Sequence, residues 1–136
     1  MRLLNSKGVK YLVVGGYAVA FHGHPRATGD LDVWISAAPE NLVRVREALE
    51  DFGFSPELVA AAPLELPGQV IRIGRPPLRI ELLTGVSGVE FDACHQRRQI
   101  HIAGEVEVAM ISLADLLANK RATGRAKDIA DIEELS

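Results

Sequence analysis

GGYAVAFHGHPRATGDLDVWI, residues 15–35, sets a glycine pair behind one apolar run and an Asp-x-Asp at the head of the next. Upstream, residues 10–14 (KYLVV) read as a short buried strand that stops at Gly15-Gly16. Residues 16–22 suit a short helix, and HGHPRATG is a loop punctuated by Pro25 and two glycines. Residues 30–35 (DLDVWI) read as a second strand. Side chains two apart in a strand share a face, so Asp30 and Asp32 point the same way while Leu31 and Val33 turn to the core. Two carboxylates this close repel each other unless a cation sits between them. Hard oxygen ligands suit Mg²⁺ or Mn²⁺.

The same alternation recurs in LRIELLTG, residues 78–85. Leu78, Ile80 and Leu82 form one face, and Arg79 and Glu81 the other. An acid within an apolar strand is costly unless it is exposed, paired or ligating. Beside the Asp30–Asp32 strand, Glu81 becomes a third carboxylate; otherwise it is an ion-pair partner for Arg72 or Arg79 across a hairpin. Three carboxylates around divalent cations suggest the two-metal logic of phosphoryl and nucleotidyl transfer. Gly15 and Gly16, lacking side chains, let backbone N–H groups approach phosphate oxygens.

Further out, Pro39 opens a helix to about Phe52, with Leu42, Val45, Leu49 and Phe52 spaced for one apolar face. Residues 55–68 are broken by Pro56, Pro63, Pro67 and Gly68, and no element is assigned there. Residues 69–73 and 78–83 form a hairpin-like pair, and residues 97–102 and 105–111 another that turns at Gly104. Helices are expected at 112–122, with Ser112 as N-cap, and at 126–135. This order predicts an α/β (α+β) fold: a mixed, twisted sheet of about five strands flanked by helices on one face, with the site in an open cleft at the sheet's edge. Residues 1–136 are expected to form one minimal domain.

Composition narrows the function classes. The net charge of −3 gives no global basic field for nucleic acid, although cations cluster locally at Arg72, Arg75 and Arg79 and again at Lys120 and Arg121. The single cysteine, Cys94, excludes an internal disulfide framework and reads as a core residue. His22, His24 and His95 lack a zinc spacing. No apolar run approaches the roughly 20 residues that span a bilayer, and the N-terminus lacks a signal-peptide cleavage pattern, so the expected location is cytoplasmic with no membrane partner.

Gly15, Gly16, Asp30, Asp32 and Glu81 together resemble the pattern of the polymerase-β-like nucleotidyltransferase superfamily. GGYAVAFHG..R.TGDLD and the tail LADLLANKRATGRAKDIADIEEL are similar to its minimal bacterial members, which include AbiEii-like toxins of type IV toxin–antitoxin systems. The resemblance implies Mg²⁺-dependent transfer of a nucleoside monophosphate from an NTP to a hydroxyl. Asp30 and Asp32 would hold metal, and Glu81 would hold metal and assist deprotonation of the acceptor. Gly15 and Gly16 would cradle the triphosphate, with Arg26, Thr28 and Lys120 as phosphate contacts. The chain departs from the pattern at Glu81, where Asp is common. The acceptor would be an RNA end, such as that of a tRNA, or a hydroxyl on a partner protein, ahead of a small molecule. A cognate partner protein is a further expectation. Two rivals stand beside this one: a non-catalytic interaction module of the same fold, and a metal-dependent phosphohydrolase. Three residues also have plainer readings. Arg26 is a loop cation pairing with Asp30 or Asp32, Thr28 buttresses its loop, and Lys120 is a solvated helix residue.

Overall fold

The computed structural model describes residues 1–23, 30–75, 78–124 and Glu133. In chain order the elements are α1 (Arg2–Ser6), β1 (Tyr11–Val14), α2 (Gly15–Phe21), β2 (Asp30–Ile35), α3 (Pro39–Phe52) and α4 (Pro56–Ala61). There follow β3 (Val70–Arg75), β4 (Leu78–Leu83), α5 (Phe91–Gln96), β5 (Gln99–Ala103), β6 (Val106–Met110) and α6 (Leu113–Thr123). The expected helix at 126–135 lies outside the described residues apart from Glu133, which is helical.

Six strands make one mixed sheet in the order β3-β4-β2-β1-β6-β5. The hairpins β3–β4 and β5–β6 form its two flanks, and the apolar strands β1 and β2 lie at its centre. β1 pairs antiparallel with β2 and parallel with β6, while β2 pairs parallel with β4. All four residues of β1 are buried. A strand buried on alternate residues in both directions is covered on both faces, which corrects the expectation of helices on one face. α1 and α3 cover the Val33, Ile80 and Leu82 side, lining a small apolar cavity with Leu4, Ala48 and Leu49. On the other side Phe91 of α5 meets Trp34 edge-on, ring centroids 5.2 Å apart.

α3 starts at Pro39 as expected and buries Leu42, Val45 and Ala48. Full burial of each larger side chain contributes about 1.5–3 kcal/mol. Phe52, assigned to that apolar face, is 65% exposed and stacks on Phe54 instead. Asn41 takes a core position that an apolar pattern would not assign. Its carboxamide oxygen accepts from Lys10 N at 2.7 Å, and its Nδ2 donates to the Lys10 and Ser36 carbonyls. It thereby ties α3 to the start of β1 and the end of β2, with its polar atoms satisfied. Cys94 is buried, as expected of a core residue, and burial pushes its thiol up to about 11. Among the described residues, no helix is long and apolar enough to cross a membrane.

Candidate functional site

Strand register builds the site. Val14 faces Asp32 across β1–β2, Asp32 faces Glu81 across β2–β4, and Glu81 faces Arg72 across β4–β3. Residues opposite one another share a face, so Arg72, Glu81, Asp32 and Val14 form one row across four strands. One step along, Asp30 faces Arg79 on that same face. The two strands inferred to be neighbours are neighbours, and Asp30, Asp32 and Glu81 come to one side of the sheet.

Gly15 completes the row's inner end. It adopts φ +67°, a left-handed conformation that suits glycine. A Cβ built there would collide with Asp32 Oδ2 and lie 3.0 Å from its Cγ. The absence of a side chain at position 15 is therefore what lets the Asp32 carboxylate sit against the β1–α2 turn. Gly16 follows in the first turn of α2.

Lys120 approaches from above. It is only 3% exposed, and it lines a cleft of about 640 Å³ together with Gly15, Asp32, Arg72 and Glu81. Its plainer reading as a solvated helix residue is thus corrected. Helix α6, which carries it, begins at Ser112, whose Oγ accepts from Asp115 N, and closes on Gly124 in the left-handed conformation. The loop before α5 presses on this helix. A Cβ at Gly88 would clash with the Ala122 methyl and lie 3.2 Å from the Ala118 carbonyl, and Asn119 Nδ2 donates to Ser87 O at 2.9 Å. This close packing fixes the helix that brings Lys120 to the cleft lined also by Asp32 and Glu81. Nothing in the sequence pattern of residues 84–90 signalled that role. Arg26 and Thr28 lie outside the described residues.

Arginines hold two of the three carboxylates. Arg79 Nε and Nη2 donate to Asp30 Oδ1 and Oδ2 at 3.1 and 3.0 Å. This guanidinium keeps the Asp30 carboxyl below the ordinary carboxylate value. Arg72 Nε donates to Glu81 Oε1 at 3.1 Å. The ion pair foreseen as the plain alternative for Glu81 is therefore present, in the same place as the carboxylate row. Three carboxylates on one sheet face make an all-oxygen donor set whose chemistry fits Mg²⁺. As the side chains stand, no three His, Cys, Asp or Glu residues among those described gather into a metal-holding group. Guanidinium charge neutralises Asp30 and Glu81 where cations would.

The described histidines have other occupations. His22 Nε2 lies 2.8 Å from the Ile111 carbonyl, His95 stacks on Phe91, and His101 meets Phe21 edge-on. A second cavity, of about 530 Å³, lies near Lys10, Arg98 and Glu107, where β1 and β6 begin; Asp32 and Glu81 do not line it.

A family model described as "Nucleotidyltransferase of unknown function (DUF6036)" matches residues 1–136. The chain belongs to the DUF6036 nucleotidyltransferase family. No curated protein matches it. Among solved structures it is similar to a protein from Thermotoga maritima provisionally assigned as a nucleotidyltransferase, with 13% identity and a TM-score of 0.64. That likeness covers 98% of this chain and 85% of the other. It is also similar to an antigenic nucleotidyltransferase-like protein from Paracoccidioides brasiliensis, with 16% identity, a TM-score of 0.55, and coverage of 98% and 69%. At these identities the likeness shows the fold: this DUF6036 chain has a nucleotidyltransferase-like sheet.

Proposed function

We propose that this protein transfers a nucleoside monophosphate from an NTP to a hydroxyl acceptor at the cleft lined by Gly15, Asp32, Glu81 and Lys120. The observation that carries the proposal is the in-register row Arg72–Glu81–Asp32, with Gly15 shaped around Asp32 and buried Lys120 lining the same cleft.

Asp30, Asp32 and Glu81 would hold Mg²⁺, which supplies charge neutralisation at the triphosphate and a lowered pKa at the acceptor hydroxyl. The chain's own groups do the rest. The Gly15–Gly16 backbone admits the triphosphate closely because no side chain intervenes. Lys120 places a positive charge over the phosphates, where the surrounding protein strengthens it. Glu81 accepts the proton of the acceptor hydroxyl. The acceptor oxygen bonds to the α-phosphorus, the bond from that phosphorus to its bridging oxygen breaks, and pyrophosphate leaves with the bonding pair. The acceptor is an RNA end or a hydroxyl on a partner protein, in keeping with the resemblance to toxin–antitoxin nucleotidyltransferases, and Arg26 and Thr28 join the phosphate contacts.

The test is label transfer. The protein is incubated with each α-labelled NTP and Mg²⁺, with total RNA in one set and lysate protein in another, and Asp32→Ala runs as the control. Label on an acceptor that disappears with Asp32→Ala supports the proposal and names the acceptor class. Released phosphate without labelled acceptor would mark a phosphohydrolase. One observation favours a second reading: Arg79 and Arg72 already engage Asp30 and Glu81, as in a non-catalytic module that keeps the fold. Absence of both transfer and NTP hydrolysis would leave that reading standing.

A further inference from the structure

The two edges of the sheet are built differently. The sequence of β3, at one edge, carries Arg72 and Arg75, the sort of charge that discourages strand-to-strand association. At the other edge, β5 reads Gln99-Ile100-His101-Ile102-Ala103, with no lysine, arginine, acid or proline. All five residues are exposed, and Ile100 and Ile102 are 49% and 55% exposed.

Hairpin geometry says which backbone groups face outward. Gly104 and Glu105 make a two-residue turn, so the closing pair Ala103–Val106 is a hydrogen-bonded one. Pairs then alternate. Gln99, His101 and Ala103 turn their N–H and C=O toward β6, while Ile100 and Ile102 turn theirs to the open edge. A second β5 laid antiparallel can oppose both outward-bonding residues to both only when Ile100 faces Ile102, with His101 on the two-fold axis. That register makes about four main-chain hydrogen bonds. It places Arg98, which donates to the His95 carbonyl of its own chain, opposite Gly104, so that residue meets no opposite charge. Arg97, which would face Glu105 directly, is held by Asp115 within its own chain.

We propose that β5 is a homodimerisation edge: two copies of this chain pair β5 to β5 antiparallel about His101, joining their sheets into one. The occupant is a second copy because the segment is complementary to itself in its exposed apolar residues and in its outward hydrogen-bonding positions, which this one register satisfies together. The proposal does not depend on the catalytic reading of the cleft.

Sedimentation velocity of the full chain over a wide concentration range tests it. The mass should rise from 14.7 kDa toward twice that value as concentration passes tens of micromolar, an order of magnitude suited to a small interface. Ile102→Pro removes one outward N–H without touching the ladder to β6, and should weaken association at least about tenfold. Ile100→Lys, at the exposed side chain that faces Ile102 of the second copy, should weaken it as well. A protein that stays monomeric up to about 200 µM overturns the proposal, as does a dimer that forms equally well with Ile102→Pro. Should Ile102→Pro fail to fold by circular dichroism, Ile100→Lys decides: association undiminished in that variant is also fatal.

Discussion

Arg79–Asp30 and Arg97–Asp115 are both two-pronged arginine–aspartate contacts with nearly equal distances, yet their settings differ. Asp115 receives Arg97 Nη2 and Nε at 2.8 and 3.0 Å and the Ser112 hydroxyl at 2.9 Å, with its side chain only 9% exposed. Its own N–H bonds back to Ser112 at the head of α6. Asp30 receives Arg79 with its side chain 30% exposed, and Glu81 on the neighbouring strand shares its face of the sheet. Around Asp115 every neighbour is a donor, so removing the arginine strands a buried charge. Asp30 shares its sheet face with the other carboxylates of the row, so in the proposed reading its arginine stands where a metal cation would. Identical contacts can thus be a fixture in one place and a placeholder in another.

Exchanging each aspartate for its amide should separate the two most sharply. Asp30→Asn should lower label transfer about a thousandfold while moving the urea midpoint little, because the lost ion pair is partly exposed. Asp115→Asn should cost about 1–2 kcal/mol of stability, because the amide gives up the charge-assisted bonds from Arg97 and Ser112, and leave transfer per folded molecule unchanged, read by urea melts beside the same assay. If both variants lose stability alike, the contrast is wrong.

Acid sharpens the same point. Arg97 holds the Asp115 carboxyl below its ordinary value of 3.8. A depressed folded pKa contributes stability above the unfolded value and loses it as pH falls through the folded one. The stability gap between wild type and Asp115→Asn should therefore be full at neutral pH, begin to narrow near about pH 4 and go on closing below it. A gap independent of pH would mean that the charge on Asp115 is not what Arg97 stabilises. The smallest effect expected is on cation affinity. Arg79→Ala should tighten Mg²⁺ binding to the nucleotide-free protein by about fivefold, since the cation no longer has to displace a partly exposed guanidinium. Calorimetry showing weaker binding would end the view of Arg79 as a placeholder.

Much of this was legible in the sequence wherever a short-range rule applied. Period-two alternation put Asp30, Asp32, Arg79 and Glu81 on one side of their strands, and Ser112 with Asp115 announced the start of α6. Strand order is a long-range property, so the neighbourhood of β2 and β4 had to be assumed. α1 and α5 escaped because five and six residues are too few for a helical period to register. α4 was recoverable: Ser55-Pro56-Glu57 is an N-cap, a first-turn proline and a first-turn acid, obscured by the prolines that follow. Lys120 was named as a contact, but its burial depends on Gly88 fitting against Ala118 and Ala122, a tertiary fit that no local pattern encodes.

The row from Arg72 to Val14 also means that this site has almost no tolerance for misalignment during assembly. Were β4 to join β2 one residue out of step, Ile80 would take the place of Glu81, and an arginine and a glutamate would be driven into the apolar side against α3. Such a chain could not fold well and lack only its chemistry. The same alignment that puts the carboxylates together excludes charge from the core, so for this protein an error in pairing is an error in both at once.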